Sequence, residues 1–198
     1  MTSIPSFKKV AFSVLKTTGL LGFRTKRSLI SVPIAQIRCQ ETPFSALQGF
    51  SGKPIEYFPP SHFFELSLTE PQHAFDAFAD WLRICLRDLQ AWKVPRSQGG
   101  WANGTLVTTI FEVHREHGIP LTDFEQADPI LINEAIVRRT QYYFGILDSI
   151  RQKGFNTSLF PPIYCRPRND FYVIADGHHR VSALWVLGYS EANVCLIP

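Results

Sequence analysis

The chain has 198 residues, 45% of them hydrophobic and 19% charged, with a formal net charge of +3. That length suits one sizeable core, and the composition is that of an ordinary soluble globular protein somewhat rich in Phe and Pro. The charge is too small to diagnose nucleic-acid binding. The four cysteines, Cys39, Cys85, Cys165 and Cys195, form no C-x-x-C or zinc-ribbon spacing, and read as reduced structural thiols of a cytoplasmic protein.

Residues 1–28 read as a basic tail or short helix. Lys8, Lys9, Lys16, Arg24, Lys26 and Arg27 lie here, and no acidic residue precedes Glu41. The mildly apolar run Ala11 to Phe23 is broken by Lys16 and is too short to span a bilayer. No convincing signal-peptidase site follows it, so it reads as an amphipathic segment, with peripheral membrane contact as the lesser alternative. Leu29 to Ile37 reads as a strand and turn, with Pro33 at an edge or strand end. Arg38 to Pro43 is a polar loop, and Phe44 to Pro60 is too rich in Gly, Pro and aromatics to promise regular structure.

A helix comes next, started by Thr69 or Glu70 with Pro71 at its first position. Phe75, Phe78, Leu82, Cys85, Leu86, Leu89 and Trp92 fall at three- and four-residue steps on one face, and Asp76, Asp80, Arg83, Arg87 and Asp88 on the other. Val94 to Gly104 is a loop, read as a plain connection in preference to a ligand cover built from Arg96, Gln98 and Asn103. Leu106 to His117 is a second helix, stopped by Gly118-Ile119-Pro120. Its His114 and His117 share a face, but with no third ligand and no H-E-x-x-H spacing no metal site is assigned.

Asp128 and Pro129 supply an N-cap and first position for a long helix ending near Lys153, with Gly154 beyond it. Ile132, Ile136, Tyr143, Ile146, Leu147 and Ile150 mark its buried side, and Glu134 is spaced to pair with Arg138. Leu159 to Cys165 leads into a strand, Arg166 to Asp170 turns, and Phe171 to Ala175 is an apolar strand. Asp176 and Gly177 break that strand, Asp176 as a helix cap and Gly177 as a sharp turn. The apolar helix Val181 to Leu187 ends at Gly188, and Ala192 to Ile197 is a last strand.

Charge and imidazoles are thus concentrated at Asp176-Gly177-His178-His179-Arg180, a strand–turn–helix junction where the helix dipole favours an anion. That pattern alone names no reaction. The series Ile-Leu-Asp-Ser-Ile-Arg-Gln-Lys-Gly-Phe, Pro-Pro-Ile-Tyr-Cys, then Phe-Tyr-Val-Ile-Ala-Asp-Gly-His-His-Arg-Val-Ser-Ala-Leu-Trp-Val-Leu-Gly-Tyr resembles the ParB/sulfiredoxin superfamily. Ile30 to Arg38 is similar to that superfamily's opening strand. The resemblance covers Leu29 to Glu41 and Asp128 to Ile197. It implies an α+β fold over 29–198: a small mixed sheet with packed helices and a large helical insertion at about 44–127.

Within that superfamily, sulfiredoxins need a cysteine in the turn where this chain has His178, and partition proteins carry a helix-turn-helix domain that has no counterpart before Pro198. The free-serine kinases of this fold are more similar, because they use Asp-Gly-His-His-Arg and place a catalytic Glu after the first strand, at the position matched by Glu41. The resemblance therefore implies a nucleotide-binding protein, a phosphotransferase acting on a small hydroxyl compound. Its cofactors would be ATP, ADP or CTP, with Mg²⁺.

In that reading Gly177, His178, His179 and Arg180 bind phosphate, and Glu41, Asp176 and His179 act catalytically, Glu41 as base and Asp176 as base or Mg²⁺ ligand. Structural roles stand beside these: Asp176 as a cap, one histidine packed inside, Arg180 paired with a carboxylate, Glu41 in solvent. The alternatives in function are a DNA-associated ParB-like nucleotide switch or nuclease, and a non-catalytic nucleotide-sensing module.

Overall fold

The computed structural model describes residues 29–42, 45–46, 48–92, 106–123, 126–156 and 158–198, and for 89–92 only the backbone. The basic segment 1–28, the loop 94–104 and the side chains of Leu89 and Trp92 lie outside the described residues. The described part is α+β, with five strands in one mixed sheet and five α-helices.

The strands are β1 (Leu29–Pro33), β2 (Ile37–Arg38), β3 (Ile163–Pro167), β4 (Tyr172–Asp176) and β5 (Glu191–Leu196), in the order β1-β5-β3-β4-β2. β1 runs antiparallel to β5, β5 parallel to β3, β3 antiparallel to β4, and β4 parallel to β2. The expected strand and turn are present, and a second strand follows them. Pro33 closes β1, a 3₁₀ turn occupies Ile34–Gln36, and β2 begins at Ile37. The two halves occupy opposite edges of the sheet. Four flat strand spacings would put those edges about 19 Å apart, whereas the four residue steps from Pro33 to Ile37 reach at most about 15 Å. The sheet must therefore curl.

The helices are α1 (Pro59–Leu66), α2 (Pro71–Trp92), α3 (Leu106–Glu116), α4 (Pro129–Lys153) and α5 (His178–Val186). α1 corrects the expectation of irregular chain through Pro60. Phe58 is extended at the N-cap, Pro59 and Pro60 take the first helical positions, where a missing N–H costs nothing, and the helix runs on from there. α2 and α4 start at the expected prolines. Asp128 caps α4 by accepting from the Ile130 amide at 2.7 Å. Glu134 pairs with Arg138 at 2.6 Å, as spaced, and Arg138 also reaches Glu116 at 2.7 Å.

One core joins sheet and helices. Val32, Ile37, Ile163, Cys165, Ile174 and Val194 are buried with Phe58, Phe64, Phe78, Leu82, Ile136, Tyr143 and Leu147. The four cysteines are free and buried. Burial pushes the thiols of Cys39 and Cys165 up to about 12, so they are protonated packing groups at neutral pH. No described helix is long and apolar enough to cross a membrane.

Candidate functional site

The parallel strands β2 and β4 point the same way, and the segments leaving their C-terminal ends meet at that end of the sheet. Beyond β2 the Cys39 amide donates to the Lys53 carbonyl at 2.8 Å. The Gln40 amide donates to His178 Nε2 at 2.9 Å, across 138 residues of sequence. Ser45 then staples the loop: its buried hydroxyl donates to the Gln40 carbonyl at 2.6 Å and accepts the Thr42 amide at 2.8 Å. Glu41 is held between these bonds. Its carboxylate is exposed and rests against Gly52, where an added Cβ would lie 3.2 Å from Glu41 Oε1.

Beyond β4 the turn differs from the sequence expectation. Asp176 is the last strand residue and does not cap α5. The N-cap is Gly177, at φ 108°, ψ 17°, with no side-chain cap bond. The Arg180 and Val181 amides donate to the Gly177 carbonyl at 2.9 and 3.0 Å, and the amide of His178 at the first helical position has no acceptor within the helix. Gly177 is required twice over. Its φ is one that L side chains rarely adopt, and a Cβ there would lie 3.0 Å from Arg180 Nη2 and 3.2 Å from Ile163 Cγ1.

Arg180 lies beneath that glycine and is almost wholly enclosed. Its side chain is 9% exposed; Nη2 donates to Asp176 Oδ2 at 2.8 Å and Nη1 to the Pro161 carbonyl at 2.9 Å. The guanidinium thus clips the approach to β3, the end of β4 and the first turn of α5 together. Asp176 is the open partner, with its side chain 68% exposed.

The two imidazoles are each 7% exposed, and they do different things. His178 packs on Phe58, ring centroids 5.2 Å apart, while accepting the Gln40 bond. Burial pushes its pKa down to about 4, with Asp176 opposing and Arg180 assisting. It is neutral at pH 7, and because Nε2 accepts, its proton sits on Nδ1. His179 faces the core. It stacks on Tyr143 at 3.6 Å with an interplanar angle of 8°, and Phe58, Phe64 and Phe78 surround it at 5.3, 6.4 and 6.4 Å. Burial, then the nearby His178, Arg139 and Arg180, hold its pKa well below the ordinary histidine range.

The structure therefore brings Glu41, Asp176, Gly177, His178 and Arg180 to one end of the sheet and turns His179 inward. Of the residues expected to bind phosphate, Gly177 and His178 stand where α5 begins, with the His178 ring buried against Phe58, whereas Arg180 already spends two donors on Pro161 and Asp176. For Mg²⁺ the fit is partial. Asp176 and Glu41 offer exposed carboxylates, and no group of three or more His, Cys, Asp or Glu suited to a metal occurs among the described residues. That suits a magnesium ion arriving with polyphosphate oxygens, and not a dedicated cage. The other histidine pair does not converge. His114 is buried with Nδ1 on the Ile110 carbonyl at 2.8 Å and Nε2 accepting the Asp128 amide at 3.0 Å, while His117 pairs with Glu134 on the surface.

Sequence reasoning missed the aromatic cage of His179 and the Pro161 carbonyl, whose partners come from distant segments. The aromatic richness of the stretch ending at Pro60 was the one available signal, since Phe58 touches both imidazoles. Scans against protein-family models, curated proteins and solved structures return no match.

Proposed function

We propose that the chain has the ParB/sulfiredoxin-like fold and is a nucleotide-dependent phosphotransferase acting on a small hydroxyl compound. The observation that carries this reading is the Gln40–His178 hydrogen bond, which fixes the Glu41 loop beside the N-terminus of α5. A polyphosphate group at that helix end meets the positive end of the dipole and the His178 amide, with the Nδ1–H of His178 as a neutral donor. Glu41 takes the proton of the acceptor hydroxyl as its oxygen bonds to phosphorus, and the bond from phosphorus to the bridging oxygen breaks, releasing the shortened nucleotide. Mg²⁺ bound with the nucleotide would neutralise phosphate charge, and the exposed Asp176 carboxylate would be its protein ligand. His179, stacked in the core, is a positioning residue that fixes the first turn of α5.

Thermal-shift measurements with ATP, ADP and CTP, with and without Mg²⁺, test the binding half. Phosphate transfer to a panel of small hydroxyl compounds tests the other. Glu41→Gln is expected to keep nucleotide-dependent stabilisation and to lose transfer by about 10²-fold or more, the usual weight of a general base. Stabilisation by none of the nucleotides sinks the proposal. A second reading, nucleotide sensing without turnover, is favoured by the burial of both imidazoles and the prior engagement of Arg180. Nucleotide stabilisation without transfer to any acceptor, in the unaltered protein, selects it.

A further inference from the structure

A polyphosphate brought to the start of α5 meets little positive charge from the side chains of that helix. Both imidazoles are buried and neutral at pH 7, and Arg180 is engaged by Asp176 and the Pro161 carbonyl. Two exposed carboxylates, Glu41 and Asp176, stand at the same end of the sheet. A metal ion carried in with the phosphates offsets part of the repulsion. A protein cation free to pair with a phosphate oxygen is still called for.

The segment 50–58 supplies one. It runs back along β2, with Pro54 bridged to Arg38 and the Lys53 carbonyl accepting the Cys39 amide at 2.8 Å. Two of its residues touch the candidate site. Gly52 lies against the Glu41 carboxylate, and Phe58 packs on His178 with ring centroids 5.2 Å apart. Lys53 follows the first of these contacts and Tyr57 precedes the second. A 3₁₀ turn at Ile55–Tyr57 lies between them, and the Lys53 ammonium stands over the Tyr57 ring, 5.5 Å from its centroid.

Both side chains are open to solvent, Tyr57 at 53%. Among the described residues the Lys53 ammonium forms no ion pair, not even with Glu56 in the same turn. A lysine over an exposed tyrosine ring is held weakly. A charge-assisted hydrogen bond to a phosphate oxygen is the stronger attraction, so an arriving phosphate draws the ammonium off the ring. The ring face released in this way is what a nucleobase needs, because every base can stack on an aromatic side chain through its π-face. Phe50 and Phe58 of the same segment are buried against each other, centroids 5.1 Å apart, and offer no such face.

We propose that Lys53 and Tyr57 clamp the nucleotide, the Tyr57 ring stacking on the base and the Lys53 ammonium pairing with a phosphate oxygen held at the start of α5. The assignment rests on the phosphotransferase reading above and adds to it the cation and the base platform that α5 lacks. Neither residue makes or breaks a bond. They bind and orient the nucleotide, while Glu41 takes the proton of the acceptor hydroxyl.

The test is calorimetric titration of the full chain with ATP, ADP and CTP, and with tripolyphosphate, which has phosphates and no base, each in the presence of Mg²⁺. Tyr57→Ala should weaken nucleotide binding about five- to hundredfold, the weight of one stacked base, and leave tripolyphosphate unaffected. Tyr57→Phe should keep the nucleotide affinity. Lys53→Gln should weaken nucleotide and tripolyphosphate alike, by about tenfold. Both side chains are exposed, so the thermal midpoints of the ligand-free variants should match that of the unaltered chain. Loss of nucleotide and tripolyphosphate in equal measure with Tyr57→Ala, or undiminished nucleotide binding by Tyr57→Ala and Lys53→Gln, would overturn the clamp and leave phosphate binding at α5 standing. Failure of the unaltered chain to bind any of the four ligands would overturn the phosphotransferase reading, and the clamp with it.

Discussion

Acidification is expected to loosen this fold through His178 before it reaches the carboxylates. In the folded chain burial holds the imidazole at about 4, against about 6.5 for an unfolded chain. Above about pH 6.5 neither state holds the proton, and the full stability is present. Between about 6.5 and about 4 the unfolded chain binds it and the folded chain does not, so stability falls as pH falls. Below about 4 both bind it and the loss levels off. For His178 alone the linkage gives about 2 kcal/mol lost at pH 5 and a ceiling of about 3 kcal/mol. His179 adds to the loss in the same direction, since its pKa is also lowered. Protonation further removes the acceptor for the Gln40 amide, so the loop bearing Glu41 loses its anchor as the charge appears. Urea unfolding at about pH 7.5, 6.5 and 5 measures this, with His178→Gln as comparison. The variant should be less stable at high pH, yet its decline toward pH 5 should be smaller by about 2 kcal/mol. An equal decline in the two proteins would refute the assignment of the loss to this imidazole.

Two sets of substitutions probe the turn itself. Gly177→Ala forces a side chain into a left-handed conformation and against Arg180 and Ile163, and should cost about 2–4 kcal/mol in urea unfolding; a cost below about 1 kcal/mol would show that the turn relaxes freely. Arg180→Met strands the Pro161 carbonyl and should cost about 2–3 kcal/mol, whereas Asp176→Asn, at the exposed end of the same pair, should cost less than about 1 kcal/mol. Equal costs for these two variants would contradict the reading of Arg180 as a clip between segments.

Much of the fold was legible because its signals are local. Asp128 with Pro129 and the apolar spacing of α2 are satisfied within a few residues, and the structure agrees with them. The turn after Pro33 was legible, but the second strand beyond it was not, because Ile37-Arg38 is too short to carry a strand signal of its own. Pairing separates the two strands, with β5 on one side and β4 on the other, both encoded far downstream. The site shows the same division. Sequence placed the motif at a strand–helix junction, yet it could not say that both imidazoles are buried, or which of them stacks among the aromatic rings of the helices. Two adjacent histidines on a helix point about 100° apart, and only the aromatic side chains of α1, α2 and α4 decide which one becomes core. Asp176 lost its expected capping role to Gly177 because its carboxylate is drawn to Arg180, four residues on.

The division of Leu29–Arg38 between the two edges of the sheet bears on how the chain acquires its structure. Those ten residues emerge before their strand partners, because β1 pairs with β5 and β2 with β4, each more than 130 positions later. The helices α1 to α4 have their intrahelical hydrogen bonds within reach as they emerge, although α1 also packs on α5, where the Ser61 hydroxyl donates to that of Ser182 at 2.9 Å. The sheet has to wait until β5 is available, so its closure is a late step of high contact order. Until then the apolar face of the first strand stays uncovered, and a nascent or truncated chain lacking β5 would present it to other molecules as a ready surface for aggregation.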